Sequence, residues 1–357
     1  MERRHFGRAR PRKRQPLTTV RVPQNLSLRE SLNFCARLWG MEQAEEITFD
    51  FSRMGRAEPF TMTLLASELK RFRASRPGTR FRSDGHRENT YPAHMGFFRA
   101  FGLAHGNHPG EAAGNANYLP LTYLDVEEIR TQAADAYENV GETLERESGR
   151  LARVLTRQQE GPLVDTLAFS MREILRNVVE HSGSPQLAYC AQYWPTRHRV
   201  EIAVLDSGMG VRSSLSANPH LTIDSDRTAI QLALMPSISG KTFQGVRRRA
   251  NDHWQNSGYG LYMTSRLCRN GGDFFIASGS SGVLLEQGGK TDYTCSIPGT
   301  ALRLVLDTRR MDDLHRRLET FRAEGYRIAQ RNAGAAALSP SSASTMLARD
   351  FAGELTP

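Results

Sequence analysis

Alternating strand and helix patterns predict that this 357-residue chain belongs to the α/β class. In the first third, Ile47 to Phe51 alternates like a strand, and Phe60 to Ala74 has apolar residues at helical spacing. In the second half, Val200 to Leu205 has the β-branched and apolar content of a strand, and it runs into a glycine turn. A fragment with strand character, Gly299 to Leu306, follows where a closing strand would be needed.

The first 22 residues are strongly basic, with eight Lys and Arg against one acid in a chain of net charge +9. Their charge and prolines predict a disordered tail over residues 1–25. Such a tail is able to contact nucleic acid, an anionic membrane or an acidic partner, and a solvated tail without a partner fits equally. No apolar signal segment follows it, and no run reaches the ~20 apolar residues of a membrane span.

The cysteines are scattered and form neither a CxxC pair nor a zinc-ligand spacing with histidine. They are Cys35, Cys190, Cys268 and Cys295. Free thiols of this kind are typical of a reducing compartment, so we expect a cytoplasmic protein.

Residues 26–118 are predicted to form a small α/β module. Its elements are helices over Ser27 to Met41, Phe60 to Ala74 and Met95 to Leu103, strands over Ile47 to Phe51 and Thr79 to Arg82, and a loop over Gly106 to Asn117.

The remaining segments are predicted from composition and helical spacing. We expect a helical connector over 119–160 that allows a break, the motif-bearing domain over 161–308, a charged helix over 309–331 and a low-complexity, disordered tail over 332–357.

The helix predicted over Leu163 to His181 carries an apolar stripe and a neighbouring polar face. Glu173, Asn177 and His181 share that face at i, i+4 and i+8. The amide oxygen of Asn177 is able to ligate Mg²⁺, and Glu173 is a candidate to orient or deprotonate a water. A solvated polar face would give the same spacing.

Asp206 ends the strand Val200 to Leu205 and is followed by Gly208 and Gly210. A carboxylate there can accept a hydrogen bond from an exocyclic amine such as N6 of adenine, and glycines let the backbone approach a flat base. A plain Asp-Gly turn is the alternative.

Gly258 and Gly260 precede a helix that begins near Leu261, and the N–H groups of its first turn could hold phosphates. A capped helix after a loop is the alternative. The two GKT strings, at Gly240 to Thr242 and Gly289 to Thr291, are not P-loops, because neither has the required upstream glycine.

Together these strings resemble the GHKL superfamily of gyrase, heat-shock chaperone, histidine kinase and mismatch-repair ATPases. Glu173 to His181 resembles its N box, Asp206 to Gly210 its first glycine box, Ser257 to Leu267 its second, and Gly299-Thr300 the element that closes the adenine site. The resemblance implies a two-layer α/β sandwich with a mixed, mostly antiparallel sheet (the Bergerat-type ATP-binding fold), and a lid over about 212–257.

The resemblance also implies a binding site for ATP with Mg²⁺. Glu173 would be the general base, Asn177 would bind Mg²⁺, and Asp206 would bind adenine. The other nucleotide contacts would be Gly208, Gly210, Gly258, Tyr259, Gly260, Leu261 and Thr300, with Lys241 of the lid as a phosphate contact.

Residues 26–118 are loosely similar to the STAS domains of anti-sigma-factor antagonists. The phosphorylatable Asp-Ser pair of those domains is absent, and the corresponding stretch is Arg56 to Thr61. Thr61 or Thr63 could substitute for that serine, or both could have a purely structural role. Because no phospho-accepting histidine precedes the N box and no receiver domain is evident, we do not expect an autophosphorylating histidine kinase.

Three hypotheses follow. The first is an ATP-binding protein that acts on a protein partner, either as a weak ATPase or as an ATP-gated regulator. A STAS-like protein would suit as that partner. The second is a serine/threonine protein kinase of the anti-sigma type, and the third is a nucleic-acid-associated regulator that uses its basic tail.

Overall fold

The computed structural model describes residues 17–112, 117–241, 258–311, 314–334 and 340–348. Within these ranges the chain contains a three-stranded parallel sheet, a five-stranded antiparallel sheet and helices. The predicted α/β class is therefore confirmed.

The smaller sheet belongs to the N-terminal module and has the strand order β1-β2-β3. Its strands are β1 (Leu17–Arg21), β2 (Glu46–Asp50) and β3 (Arg80–Asp84), and its helices are α1 (Leu28–Trp39), α2 (Pro59–Ala74), α3 (Thr90–His94) and α4 (Phe97–Ala100). The prediction that residues 1–25 are disordered is wrong for Leu17–Arg21, because these residues form β1 and pair with β2 in a full parallel ladder. The most basic part, residues 1–16, lies outside the described residues.

Local signals explain the boundaries of these helices. The side chain of Ser27 accepts a hydrogen bond from the N–H of Glu30 and so caps α1, which ends at Gly40. The helix predicted over Met95 to Leu103 is shorter, since it covers only α4 and starts after Gly96, whose φ of +86° separates α4 from the preceding α3.

The larger sheet has the strand order β4-β5-β6-β8-β7, and every neighbouring pair is antiparallel. Its strands are β4 (Tyr118–Asp125), β5 (Gln186–Trp194), β6 (Arg199–Asp206), β7 (Asp273–Glu286) and β8 (Gly289–Asp307). The predicted, mostly antiparallel character of this sheet is confirmed, but its mixed character is wrong, because all four neighbouring pairs are antiparallel. Hairpins join β5 to β6 and β7 to β8, and a hairpin forces antiparallel pairing. The connector, predicted to be helical over 119–160, instead begins with a strand, β4.

The helices around this sheet mostly match the predicted ones. They are α5 (Val126–Asp135), α6 (Val140–Thr156), α7 (Pro162–Asn177), α8 (Gly210–Leu215), α9 (Asp226–Ala233), α10 (Gly260–Arg269), α11 (Leu314–Gly334) and α12 (Pro340–Ala348). A π-helical turn, Val178–Ser182, continues α7. The break allowed in the connector falls between α5 and α6, where Asn139 and Glu142 form a capping box.

Both faces of the larger sheet are buried. Along β6, Ile202 and Val204 pack in the same cluster as residues of α7 and α10, whereas Ala203 and Leu205 pack with residues of α2. This alternation follows from the two-residue period of a strand. The N-terminal module, predicted as an addition to the two-layer sandwich, therefore covers the second face and makes a third layer.

Buried charges join the module to β6. Arg199 donates to both carboxylate oxygens of Glu58, at 2.7 and 3.0 Å. Glu201, which is fully buried, accepts hydrogen bonds from Arg199 at 2.7 Å and from the N–H of Phe60, at the start of α2, at 3.0 Å. Burial raises the pKa of Glu201 to about 7, against the opposing effect of Arg303. The module is thus anchored to the strand that ends at Asp206.

The hydroxyl groups of Thr61 and Thr63 are hydrogen-bonded inside the module. Both residues are buried, and their hydroxyls donate to the carbonyls of Leu26 and Pro59, at 3.0 and 2.9 Å. These contacts favour the structural role of the two threonines over that of a phosphate acceptor.

The C-terminal segment is more ordered than predicted. α12 lies within the low-complexity tail expected over 332–357, and its Ala343, Met346 and Leu347 are buried in the main core. Arg269 at the end of α10 donates to the carbonyl of Leu347 at 2.8 Å. The prediction of a disordered tail is wrong for 340–348, because apolar residues at helical spacing are able to bury against the sheet.

None of the helices in the described part of the chain combines the length and the apolar composition that crossing a membrane requires. Cys35, Cys190 and Cys268 are free and buried, and Cys295 is free and partly buried.

Candidate functional site

A cleft opens at the carboxyl end of β6, beside Thr300 in the middle of β8, between the π-helical turn after α7 and the segment that leads from α8 to residue 241. Its empty volume, including the open mouth, is about 770 Å³. A concave site with mostly apolar walls and a few polar groups is typical of small-molecule binding. The lining residues are Asn177, Val178, His181, Ser182, Asp206, Gly210, Val211, Ser214, Leu215, Ala233, Ile238, Ser239, Gly240, Gly258, Gly260, Leu261, Ile276, Thr300 and Leu302.

Asp206 lies at the base of this cleft and is 2% exposed. Its Oδ1 accepts a hydrogen bond from the N–H of Gly208 at 2.8 Å, and its carboxyl group also hydrogen-bonds the side chain of Thr300. Thr300 is its direct neighbour across the β6–β8 ladder. Burial raises the pKa of Asp206 to about 6, although both hydrogen bonds oppose the rise.

The wall beside Asp206 comes from the end of α7 and the π-helical turn. Asn177 is the last residue of α7 and lines the cleft, as do His181 and Ser182 of the turn. The carbonyl of Ser182 accepts the N–H of Met209 at 2.8 Å, which ties this wall to the loop after β6. Burial, and then the charges of Lys241 and Arg176, lower the pKa of His181 to about 4, so its imidazole is neutral near pH 7.

Three of the predicted glycines, Gly210, Gly258 and Gly260, line the cleft. Gly210 and Gly258 have φ values of +76° and +72°, which favour glycine. A Cβ on Gly258 would lie 2.6 Å from the carbonyl oxygen of Ile238, so the two segments can approach this closely only with glycine. Gly260 begins α10, whose first turn presents N–H groups and the positive end of the helix dipole to the cleft.

Ser278 positions the loop that carries Gly210. Its hydroxyl accepts the N–H of Val211 at 3.0 Å and donates to the carbonyl of Gly299 at 2.7 Å, so one buried side chain links β7, β8 and the start of α8. No motif in the sequence marks this serine, because its role depends on strand pairing.

Glu173 does not line the cleft. Its Oε1 accepts two hydrogen bonds from Arg172, at 3.1 and 2.8 Å, and its Oε2 would lie 2.4 Å from a Cβ on Gly260. The carboxylate therefore lies against the first residue of α10, at the margin of the cleft. Its predicted role as a general base stays a prediction.

Three further predicted contacts lie outside the lining. Gly208 packs on the π-helical turn, where a Cβ would lie 2.1 Å from the carbonyl oxygen of Ser182. Tyr259 packs edge-on against Tyr262. It also lies against α11, where a Cβ added at Gly325 would be 2.8 Å from one of its ring carbons. Lys241 donates to the carbonyl of Glu180 beside the cleft, and the predicted lid beyond it, residues 242–257, is outside the described residues.

The structure brings together seven of the eleven predicted residues, from five elements or their ends: Asn177, Asp206, Gly210, Gly258, Gly260, Leu261 and Thr300. Sequence reasoning missed the lining residues His181, Ser182, Ser214, Ile238 and Ser239. The sequence does contain a signal for His181, because this residue continues the four-residue spacing of Glu173 and Asn177. The others follow from packing between segments far apart in sequence.

Comparison of the chain with protein-family models, with curated proteins and with solved structures finds no match. The geometry of the cleft therefore carries the functional interpretation.

Among the described residues, no group of three or more His, Cys, Asp and Glu side chains could hold a metal ion. A Mg²⁺ ion fits the cleft only if ligand oxygens supply most of its coordination. Asn177 offers one protein oxygen, and Mg²⁺ commonly takes few protein ligands together with phosphates and waters.

Proposed function

We propose that this protein binds an adenine nucleotide with Mg²⁺ in the cleft, in the manner of a GHKL-type ATPase or ATP-gated regulator. The observation that carries the proposal is Asp206, a nearly fully buried carboxylate at the base of an otherwise largely apolar cleft, held by Gly208 and Thr300.

The base end of the cleft suits an aromatic ring with an amine at its edge. A carboxylate has about four lone-pair sites, so Asp206 keeps acceptor capacity beyond the hydrogen bonds from Gly208 and Thr300. Apolar side chains, including Ile276 and Leu302, line the surrounding walls. Adenine offers both a flat apolar surface and the N6 amine.

The other end of the cleft suits phosphates. The start of α10, at Gly260 and Leu261, supplies N–H groups and a positive helix terminus, and Lys241 lies nearby. Asn177 would hold the Mg²⁺ ion, whose chemistry is to neutralise charge on the phosphate oxygens. Together the two ends support a nucleoside triphosphate as the ligand.

The architecture also supports the GHKL interpretation. An antiparallel sheet with α7 and α10 on one face, and a cleft between them, agrees with a Bergerat-type fold. Hydrolysis is a further step within the proposal, and Glu173, one turn before Asn177 and against Gly260 at the margin of the cleft, would be its general base.

The direct test is calorimetric titration of the full chain with ATP and Mg²⁺. We expect saturable binding by the wild type and at least about tenfold weaker binding by Asp206→Asn, because the amide presents one acceptor oxygen in place of two. Asp165→Asn is the matched control, since Asp165 is exposed in the first turn of α7 and is not in the cleft. Absence of binding by the wild type, or equal affinity for Asp206→Asn, would exclude the proposal.

The kinase and nucleic-acid hypotheses remain predictions, as does a cytoplasmic location. Phosphate transfer from ATP to a separate STAS-like protein would indicate the kinase. The nucleic-acid hypothesis depends on the basic tail, whose residues 1–16 lie outside the described part.

A further inference from the structure

Two histidines lie close together in the N-terminal module, away from the residues that line the cleft. The ring centres of His86 and His105 are 5.2 Å apart, with an angle of 76° between the ring planes. His86 follows β3 by two residues, and His105 lies in the loop after α4. The carboxyl end of a parallel strand is a common place for a ligand site in α/β sheets.

Both rings present a buried nitrogen that lacks a hydrogen-bond partner among the described residues. These atoms are Nδ1 of His86 and Nε2 of His105. A buried polar atom without a partner is destabilising, and such atoms in native proteins usually have an ordered water or an ion as their partner. Two of them on adjacent rings indicate one shared partner.

The separation of the rings matches that of two imidazoles on one metal ion. With N–metal bonds of ~2.0–2.1 Å and tetrahedral angles, the ring centres of two histidine ligands stand roughly 5 Å apart. A direct hydrogen bond between these two nitrogens would leave neither of them without a partner, contrary to what is observed.

The pair packs against an aromatic side chain, and burial favours the neutral form of His105. The rings of His86 and His105 pack against Phe98, a fully buried residue, at centre distances of 6.0 and 5.3 Å. Burial, followed by the charges of His86 and Arg87, lowers the pKa of His105. A neutral imidazole has the free lone pair that coordination requires.

We propose that His86 and His105 form a binding site for a zinc-like transition-metal ion, coordinated through Nδ1 of His86 and Nε2 of His105. No third His, Cys, Asp or Glu in the described part of the chain completes a closed structural site. The ion is therefore held by two protein ligands, with water or an incoming ligand in its other positions.

The test is calorimetric titration of the untagged full chain with Zn²⁺, compared with the single variants His86→Gln and His105→Gln. We expect one ion to bind per chain and each substitution to weaken binding by about tenfold or more. His108→Gln is the matched control, because His108 is exposed and only three residues from His105. Its affinity should equal that of the wild type. Wild-type affinity in both single variants, or no binding by the wild type, would overturn the proposal.

A second measurement needs only the wild type and so does not depend on the folding of the variants. Diethylpyrocarbonate acylates free imidazole nitrogens, and mass spectrometry locates the modified histidines. Zn²⁺ should slow modification of His86 and His105 and leave that of His108 unchanged. Unchanged rates at His86 and His105 would overturn the proposal. This result is independent of the nucleotide site, since neither histidine lines the cleft.

Discussion

Asp206 is the residue on which the chemistry of the cleft depends. It combines near-complete burial with two hydrogen bonds that orient its carboxylate, and burial outweighs those bonds in setting its pKa. A buried, oriented acceptor of this kind discriminates strongly between ligands that do and do not offer a donor, because an unmatched carboxylate would stay desolvated.

The raised pKa of Asp206 predicts how nucleotide binding depends on pH. The ionised carboxylate accepts a hydrogen bond from an amine, and it becomes protonated as the pH falls through about 6. ATP affinity should therefore be constant above that pH and fall by up to about tenfold per unit below it. Titrations between about pH 5 and 8 measure this, with Asp206→Asn as the control that lacks the titrating group. A wild-type affinity that does not change across this range contradicts the assignment.

At the scale of elements, the π-helical turn and the loop after β6 form one unit. The carbonyl of Ser182 accepts the N–H of Met209, and Gly208 approaches the same oxygen too closely for a side chain. The glycine predicted to contact nucleotide thus has a packing role that places Asp206 and Gly210 against the wall formed by α7.

Substitution of Gly208 tests this unit. A Cβ would lie 2.1 Å from the backbone oxygen of Ser182, so Gly208→Ala forces the loop away and should lower the free energy of unfolding by about 1–3 kcal/mol. ATP binding should weaken in parallel. Gly289→Ala is the control, because nothing lies within 4 Å of a Cβ there and its φ is ordinary. Urea unfolding of both variants gives the comparison, and equal stability of Gly208→Ala and wild type would refute the close approach.

Elements with strong local signals could be predicted from the sequence, and elements defined by distant partners could not. α1, α2, α7 and α10 follow from helical periodicity, caps and glycines close to their ends. β4 was missed because its ladder to β5 pairs Leu119 with Ala191, far along the chain, and its own sequence alternates weakly. The same limit applies to the site: local strings marked Asn177 and Asp206, whereas Ser278 acts only once the strands are paired.

At the scale of the whole molecule, segments from both ends of the chain complete the core of the larger sheet. α2 covers one face, and at its start Glu58 and the N–H of Phe60 hydrogen-bond the side chains of Arg199 and Glu201 on β6, while α12 packs against α9 and β8. α9 belongs to the wall that faces the cleft, since Ala233 lines it. The three-layer arrangement could not be predicted because it depends on contacts between separate segments, which a resemblance confined to residues 161–307 does not describe.

The buried position of α12 is testable through one side chain. Leu347 is fully buried, so Leu347→Ala should lower the free energy of unfolding by about 2–4 kcal/mol. Val154→Ala is the control, since Val154 is 40% exposed and should show a change of less than about 0.5 kcal/mol. Equal stability of Leu347→Ala and wild type in denaturant unfolding would mean that this segment does not dock on the core.

The central claim is that Asp206 recognises the amine of adenine, and competition between ATP and inosine triphosphate tests it most directly. The two nucleotides share ribose, phosphates and ring shape, but inosine carries a carbonyl oxygen where adenine has its amine. That oxygen would face the carboxylate of Asp206 with no proton between them. We predict that wild-type protein with Mg²⁺ binds ATP at least about a hundredfold more tightly than inosine triphosphate, and that Asp206→Asn loses most of this preference. Equal affinity of the wild type for the two nucleotides would contradict the account.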